Sequence, residues 1–282
     1  MAKAETIMEM DTDAILARAQ AVAKETDAEI IERLQERFSI LNQMTLAVKE
    51  GIVRSMIVSG PPGVGKSHGV LKVLEKADLL NTLAARPPKY EVVKGSVSAV
   101  GLYAKLYEFS EPGNVLVFDD ADGVFFDETS LNLLKAALDT TDRRFINWNK
   151  DSRLLRSDGI PNRYEFKGSV IFISNIKFAH VRSKKLKEHL AALESRSHYI
   201  DLEMDTQREK ILWIKKVTND GMLDGYELEP VVKDELIDYI ESNVNSLREI
   251  SLRTMLKAAD LRKAFPAGWK AIAKTTLMRR TA

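Results

Sequence analysis

Eight consecutive residues, Gly60-Pro61-Pro62-Gly63-Val64-Gly65-Lys66-Ser67, decide the fold of this 282-residue chain. They match the pattern G-x-x-x-x-G-K-[ST], and an apolar stretch precedes them while a helix-forming stretch follows. Glycines let such a loop turn its backbone N–H groups toward phosphate oxygens, and the N-terminus of the following helix adds a positive dipole. Lys66 is then placed to reach the β- and γ-phosphates, and the Ser67 hydroxyl to ligate Mg²⁺. The stretch predicts a nucleotide site formed by residues Gly60 to His68.

The composition limits the chemistry that the chain can carry. It has 42 Lys and Arg against 41 Asp and Glu, a net charge of +1, which argues against coating nucleic acid by bulk charge but permits a local basic groove. Because there is no cysteine, disulfides, thiolate catalysis and Cys-ligated metals are excluded. No apolar run approaches the ~20 residues of a membrane span, and the acidic amino terminus does not resemble a signal peptide. We therefore expect a soluble, cytoplasmic protein.

Short apolar runs alternate with amphipathic stretches through the middle of the chain, which predicts a parallel sheet covered by helices on both faces. The predicted strands are Ile52–Ser59, Tyr90–Val97, Val115–Phe118, Val170–Ser174 and Tyr199–Leu202. After Asp205 only helices are predicted, namely Arg208–Val217, Val231–Asn243, Leu252–Ala264 and Gly268–Thr276. We expect an N-terminal helical segment (1–50), an α/β nucleotide-binding domain (51–204) and a small all-helical lid domain (205–282).

Polar side chains follow two of the predicted strands. Asp119 and Asp120 come directly after Val115–Phe118, and Asn175 follows the strand that ends at Ser174. Because the carboxyl ends of parallel strands meet at one edge of a sheet, we expect these side chains beside the phosphate loop. Asp119 would organise Mg²⁺ and Asp120 would polarise the attacking water, with Asp122 as a rival for that second role.

Together these motifs resemble the AAA+ ATPases over roughly residues 45 to 265. Lys66 and Ser67 match the Walker A motif of that family, Asp119 and Asp120 its Walker B motif, and Asn175 its sensor 1. The resemblance implies an AAA+ core followed by a helical lid, ATP and Mg²⁺ as cofactors, and ATP hydrolysis. The family usually has glutamate at the position of Asp120, so the shorter side chain makes slower hydrolysis an open alternative.

The family also uses two arginines, and the sequence offers a match for each. Arg196, in the segment before the last predicted strand, resembles an arginine finger that acts on the nucleotide of a neighbouring subunit. Arg253 resembles sensor 2, with Arg248 as a second choice, and an ordinary salt bridge is the alternative for each arginine. A finger acting on a neighbour implies a homo-oligomer, which in this family is most often a hexameric ring.

Two segments are basic within a neutral chain, and they bear on the macromolecular substrate. Residues 143–167 carry seven Lys and Arg against three acids, and residues 177–189 carry five against one. In the segment Arg143–Lys167, a DNA backbone can be contacted by Arg143, Arg144, Lys150 and Arg153 while Trp148 stacks on bases. The alternative is that the segment is a solvated loop. An opposing hint is the segment Ser98 to Tyr103, which either grips a peptide as a pore loop does or packs as a helix face.

The motifs favour a magnesium-dependent AAA+ ATPase that assembles into a ring and remodels or translocates a macromolecule, with DNA-linked, loader-like work preferred. An ATP-driven remodeller of protein complexes, in the manner of small MoxR-like members, is the nearest alternative. A nucleotide-gated scaffold with slow turnover and a small-molecule P-loop kinase also stay open. The chain also resembles phage-encoded ATPases of this size. We expect that it works together with a protein partner.

Overall fold

The computed structural model describes residues 20, 22–176 and 184–280, with the backbone alone at Lys185. The chain divides into two compact units. We call residues 37–61 and 65–202 the sheet unit, and residues up to 36 together with 62–64 and 203–282 the helical unit. Among the helices that the structure describes, none has both the length and the apolar character that crossing a membrane requires.

The sheet unit is built on five parallel strands, and two further strands form a separate antiparallel hairpin. The strands are β1 Ser55–Ser59, β2 Tyr90–Lys94, β3 Val115–Asp119, β4 Phe145–Asn147, β5 Arg163–Glu165, β6 Ser169–Ser174 and β7 His198–Asp201. The order in the main sheet is β2-β3-β6-β1-β7. The phosphate loop therefore leaves from a central strand with a parallel neighbour on each side. Ile52 lies outside β1 and is 74% exposed, so this strand is shorter than predicted.

Helices cover both faces of this sheet. Those along this part of the chain are α1 Asp27–Lys49, α2 Lys66–Ala77, α3 Leu79–Leu83, α4 Ala99–Glu108, α5 Glu128–Ala137, α6 Arg153–Ser157 and α7 Lys184–Glu194. Successive strand residues point to opposite faces. Leu116 and Phe172 pack against residues of α4, α5 and α7, whereas Val117 and Ile171 pack against residues of α1 and α2. The two faces thus have separate hydrophobic cores.

The segment between α5 and β6 is folded rather than a plain polar loop. It contains β4, the short helix α6 and β5, and we call residues 143–167 the hairpin insertion. Each of its strands has only three residues, with Asn147 and Arg163 paired at the far end, so no apolar alternation marks them in the sequence. The insertion is held by buried side chains, described below.

The helical unit contains the remaining helices. They are α8 Gln207–Val217, α9 Pro230–Ser242, α10 Leu252–Ala264 and α11 Trp269–Leu277, each within one residue of the predicted bounds. Leu236, Met255 and Trp269 are buried together in the core of this unit. The predicted fold class, a parallel P-loop sheet between helices followed by a small all-helical part, is confirmed.

Candidate nucleotide-binding site

The phosphate loop owes its shape to glycines that adopt left-handed backbone conformations. Gly63 has φ +73° and Gly65, which caps the N-terminus of α2, has φ +109°. A Cβ atom on Gly63 would lie 2.8 Å from the Cβ of Ser251, a residue of the same helical unit, so a side chain is excluded there by space as well as by backbone strain. The Gly63 carbonyl also accepts the Leu252 N–H at 2.9 Å. The loop apex is therefore held against the start of α10.

Lys66, at the first position of α2, is the buried cation of the site, with 6% of its surface exposed. Its Nζ donates to the carbonyls of Gly60 at 2.6 Å and Pro61 at 3.0 Å, and to Asn175 Oδ1 at 2.7 Å. A buried ammonium is costly unless such acceptors compensate it. The lysine is thus held at the mouth of the loop by groups that a phosphate can replace.

Ser67 and Asp119 form the second contact of the site, where β1 and β3 both end. The Ser67 hydroxyl donates to Asp119 Oδ1 at 2.7 Å, and Asp119 is 4% exposed. Lys94, at the end of β2, lies opposite Asp119 in the strand register, and its Nζ is 3.3 Å from Asp119 Oδ2. Sequence reasoning missed Lys94, although the rule that located Asp119 and Asn175 at strand ends applies to it equally.

Asp120 and Asn175 complete the network beyond the strand ends. Asp120 has φ +53°, and its Oδ1 accepts a hydrogen bond from Asn175 Nδ2 at 2.7 Å. Asp122 lies apart from this contact, because its Oδ1 accepts the Ser174 hydroxyl at 2.7 Å. Burial raises the pKa of the Asp122 carboxyl, and the charge of Asp120 raises it further, against the opposing effects of Ser174 and Lys66. Asp120 is the acid that shares the Lys66–Asn175 network.

The donor set fits a magnesium–nucleotide complex better than a metal held by protein alone. Ser67 and Asp119 offer oxygen ligands, which Mg²⁺ prefers, and magnesium commonly takes its other ligands from water and phosphate. Within the described ranges, no group of three or more His, Cys, Asp or Glu side chains could hold a metal ion. His68 is exposed on the first turn of α2, and Pro62 is exposed at the loop apex.

The three arginines predicted from the sequence lie in different settings. Arg196 precedes β7 and its Nη1 donates to the Ala192 carbonyl at 2.7 Å, while its buried Nε has no hydrogen-bond partner among the described residues. Arg248 donates to the Met278 carbonyl at 2.8 Å. Arg253, in the first turn of α10, is exposed and makes no hydrogen bond or ion pair with any other residue that the structure describes. Of the two sensor 2 candidates, Arg253 is the one adjacent to the loop contact of Leu252.

The predicted stacking of Trp148 on bases is wrong, because its indole is buried. Trp148 is 7% exposed and its ring centroid lies 5.5 Å from that of Tyr103. Arg144 is buried as well, and it donates to the carbonyls of Ala137 at 2.9 Å and Gly168 at 3.1 Å. Burial, with a smaller contribution from Arg54, lowers the pKa of the Arg144 guanidinium to about 10. These two residues fix the hairpin insertion and cannot also face a DNA backbone.

The remaining basic residues of the insertion are on its surface. Arg143 pairs with Glu165 at 3.0 Å, and Arg156 pairs with Asp151 at 2.7 Å. The other exposed ones are Lys150, Arg153, Arg163 and Lys167, of which Lys167 lies 3.5 Å from Glu165. In the second basic segment, Lys177 and Arg182 lie outside the described residues.

The predicted pore loop is wrong for a similar reason. Ser98 caps the N-terminus of α4, and Leu102 and Tyr103 are fully buried on that helix. The Tyr103 hydroxyl donates to the Pro161 carbonyl at 2.7 Å, and burial raises its pKa to about 12. The alternative interpretation, in which this segment packs as a helix face, is confirmed.

The chain was compared with protein-family models, solved structures and curated proteins. No protein-family model matches it. Among solved structures it is similar to the replication initiator DnaA bound to AMPPCP and single-stranded DNA, with 16% identity over 84% of this chain and 63% of that chain and a TM-score of 0.47. It is also similar to domain III of the Thermotoga maritima replication initiation protein DnaA, with 14% identity over 86% of this chain and 92% of that chain and a TM-score of 0.47. These scores are low, and the fold assignment rests on the sheet order described above.

The chain is more similar in sequence to a phage protein than to these solved structures. A protein of Enterobacteria phage T4, the uncharacterized 36.7 kDa protein in the nrdC-mobD intergenic region, is 37% identical over 253 residues, which are 89% of this chain and 76% of that protein. Identity at this level over most of both sequences indicates common descent and a shared fold. The chain therefore belongs to the family of this phage T4 protein.

Proposed function

We propose that the chain is an AAA+ ATPase that binds ATP with Mg²⁺ and hydrolyses it. The observation that carries this proposal is the set of hydrogen-bonded polar side chains that meet at the ends of β1, β3 and β6. In it, Asn175 joins Lys66 to Asp120 through bonds of 2.7 Å on each side, and Ser67 bonds to Asp119 at 2.7 Å. A glycine-rich turn without a phosphate ligand has no need of a buried lysine and three polar strand ends at one edge.

Each residue has a role that follows from its place in this network. Lys66 would exchange its carbonyl partners for phosphate oxygens, and Ser67 and Asp119 would hold a magnesium ion, whose chemistry would be to offset negative charge on the phosphates. Asp120 accepts a proton from the attacking water, and Asn175 orients both this carboxylate and the lysine. Because the side chain of Asp120 is one methylene shorter than the glutamate usual in the AAA+ family, we expect slower hydrolysis than is usual in that family.

Arg196 supports assembly of several copies. It precedes β7, whereas Asp119 is the last residue of β3 and Lys66 follows the carboxyl end of β1, and both strands are parallel to β7. Each of the four residues of β7 adds about 3.3 Å along the strand, so β7 separates Arg196 from the carboxyl edge of the sheet by roughly 13 Å. Arg196 therefore does not reach the site of its own chain. We propose that it completes the site of a neighbouring copy in a homo-oligomer, with a hexameric ring as the form that the family resemblance favours.

Arg253 is proposed as the second arginine of the site. Within the helical unit, the Leu252 N–H that precedes it bonds to Gly63 at the apex of the phosphate loop. A cation in the first turn of α10 can therefore respond to phosphates bound at that apex. Its lack of a partner among the described residues is consistent with a role that needs a ligand.

The proposed substrate of the ring is DNA. The two aromatic side chains that the sequence suggested for gripping a macromolecule, Trp148 and Tyr103, are buried, so neither stacking of Trp148 on bases nor a gripping Tyr103 is supported. What supports DNA is the surface charge of the insertion, above all Lys150, Arg153 and Arg163. An ATP-driven remodeller of protein complexes stays the alternative, and stimulation of hydrolysis by unfolded protein rather than DNA would favour it.

ATP binding and turnover test the proposal separately. We expect wild type to bind a fluorescent ATP analogue in the presence of Mg²⁺ and to hydrolyse ATP. Lys66→Ala should lose both, because the phosphates lose their buried cation. Asp120→Asn should keep binding and lose most of the turnover. Wild-type binding no tighter than that of Lys66→Ala would overturn the proposed site.

A nucleotide-gated scaffold with slow turnover is a second candidate. The observation that favours it is Asp120, which has a left-handed backbone and is already bonded to Asn175. A wild type that assembles with ATP but hydrolyses it no faster than Lys66→Ala would select this candidate. Faster hydrolysis by Asp120→Glu than by wild type would show that the short side chain limits the rate.

A further inference from the structure

Lys94 is a cation at the carboxyl edge of the sheet that the proposed mechanism does not use. It is the last residue of β2 and lies in register with Asp119 of β3. Its Nζ is 3.3 Å from Asp119 Oδ2, while the other carboxylate oxygen accepts the Ser67 hydroxyl at 2.7 Å. Both oxygens of the buried Asp119 carboxylate are therefore engaged by side chains of the protein.

The two partners of Asp119 differ in how firmly they are held. Ser67 is fixed by the start of α2, whereas the Lys94 side chain is 65% exposed. Lys94 is also followed by Gly95, which has φ +78° and no atom within 4 Å of the place where a Cβ would lie. The ammonium can therefore swing into solvent without moving β2 or β3.

Lys94 and a magnesium ion held by Ser67 and Asp119 would both draw on the charge of one carboxylate. A divalent ion with its bound waters attracts Asp119 more strongly than a single, largely solvated ammonium, because the charge is doubled and the contact is closer. A lysine that stayed at 3.3 Å would place a like charge beside the ion. Lys94 and magnesium therefore compete for Asp119, because each cation weakens the binding of the other.

We propose that Lys94 is a built-in competitor of magnesium: it neutralises Asp119 until the magnesium–nucleotide complex displaces it into solvent. This inference rests on the proposed function and assigns a positioning role to a residue outside the phosphate-loop and Walker B motifs. Lys94 keeps the buried carboxylate paired and oriented toward Ser67 before nucleotide arrives, and it sets the magnesium concentration at which the site fills.

The test uses Lys94→Met, which keeps most of the length of the unbranched side chain and removes its charge. We measure the binding of a fluorescent ADP analogue against Mg²⁺ concentration, and the thermal unfolding midpoint with and without saturating Mg²⁺ and ADP. The midpoint magnesium concentration should fall about three- to tenfold, since the competitor is removed. Without magnesium, Lys94→Met should unfold at a lower temperature than wild type, because Asp119 is left buried and unpaired. Saturating Mg²⁺ and ADP should abolish that difference.

Two controls separate the contact from general charge effects. Lys94→Arg keeps a cation in reach of Asp119 and should behave as wild type within about twofold. Lys72→Met removes one positive charge from an exposed position on α2, and it should leave both measurements unchanged.

Three results would overturn the inference. They are an unchanged magnesium midpoint, the same shift in Lys72→Met, and a stability loss in Lys94→Met that persists with saturating Mg²⁺ and ADP. Failure of the proposed function looks different, because wild type itself would then not bind the analogue at any magnesium concentration.

Discussion

Two regions of the sheet unit each bury a basic side chain, and they use it in opposite ways. At the carboxyl edge, Lys66 is bonded to two loop carbonyls and to Asn175, which is itself exposed. In the hairpin insertion, Arg144 is bonded to the carbonyls of Ala137 and Gly168, inside the fold. The first cation faces groups that a ligand can replace, whereas the second closes the end of a helix. The number of basic residues in a segment therefore does not predict whether the segment binds a ligand. The groups that accept hydrogen bonds from those residues are the better indicator.

The largest expected effect comes from breaking the core of the hairpin insertion. Trp148→Ala should lower the free energy of unfolding by about 3–5 kcal/mol, because it empties a site packed against Tyr103 in the core cluster that also contains Tyr164. Urea unfolding followed by circular dichroism measures this. Phe126→Ala is the matched control, since Phe126 is 63% exposed and its truncation should cost under about 1 kcal/mol. A Trp148→Ala protein with wild-type stability and weakened binding to single-stranded DNA would reinstate the stacking role.

The next effect tests the carboxyl edge. Asn175→Ala should lower kcat for ATP hydrolysis about 100-fold, because Lys66 and Asp120 lose their common partner, and should leave nucleotide affinity nearly unchanged. Asn147→Ala, an exposed amide of the hairpin insertion, is the control and should keep full activity. Steady-state hydrolysis and equilibrium binding give the two quantities. Equal losses in both variants would mean that fold rather than site chemistry is disturbed.

A smaller effect concerns the exposed charges of the insertion. Lys150→Ala combined with Arg153→Ala should weaken single-stranded DNA binding about tenfold. The slope of log affinity against log salt concentration should fall by the equivalent of one to two phosphate contacts. Fluorescence anisotropy at several salt concentrations measures both. Lys274→Ala, an exposed lysine of α11, removes charge elsewhere and should have no effect. Wild-type affinity in the double variant would remove the insertion from the DNA proposal.

The smallest effect is a pH dependence at Asp122. Burial raises the pKa of its carboxyl above the ordinary value of 3.8, so the folded state holds this proton more tightly than the unfolded chain. The ionised carboxylate therefore destabilises the protein above its raised pKa, and the penalty disappears below 3.8. Asp122→Asn should stabilise the protein slightly at pH 7 and not at pH 3. Unfolding at both pH values checks this against Asp142→Asn, an exposed control. Equal stability of Asp122→Asn and wild type at pH 7 would contradict it.

Much of the fold was predictable because its determinants are local. The buried runs of β1, β3 and β6 are marked by continuous apolar residues, and the bounds of α10 were predicted without error. The placement of Ser67 beside Asp119 also follows from a general rule, since parallel strands bring their carboxyl ends together.

The hairpin insertion was not predictable in the same way, because long-range contacts decide it. Trp148 sits in a polar stretch and is buried because Tyr103, from a distant part of the chain, packs against it. Arg144 is buried because carbonyls of Ala137 and Gly168 converge on it. The contact partners of Trp148 and Arg144 are not adjacent to them in the sequence. Charge and aromatic content alone therefore indicated that the two residues are exposed.

We propose that the phosphate site at the carboxyl edge of one chain is completed by an arginine from the amino edge of another. Mixing two inactive variants tests it most directly: Lys66→Ala lacks the site, and Arg196→Ala lacks the completing arginine. Because a Lys66→Ala chain can lend its Arg196 to the intact site of an Arg196→Ala neighbour, the mixture should recover ATP hydrolysis that neither variant shows alone. Full activity of Arg196→Ala by itself at every protein concentration, or a mixture as inactive as its components, would contradict the account.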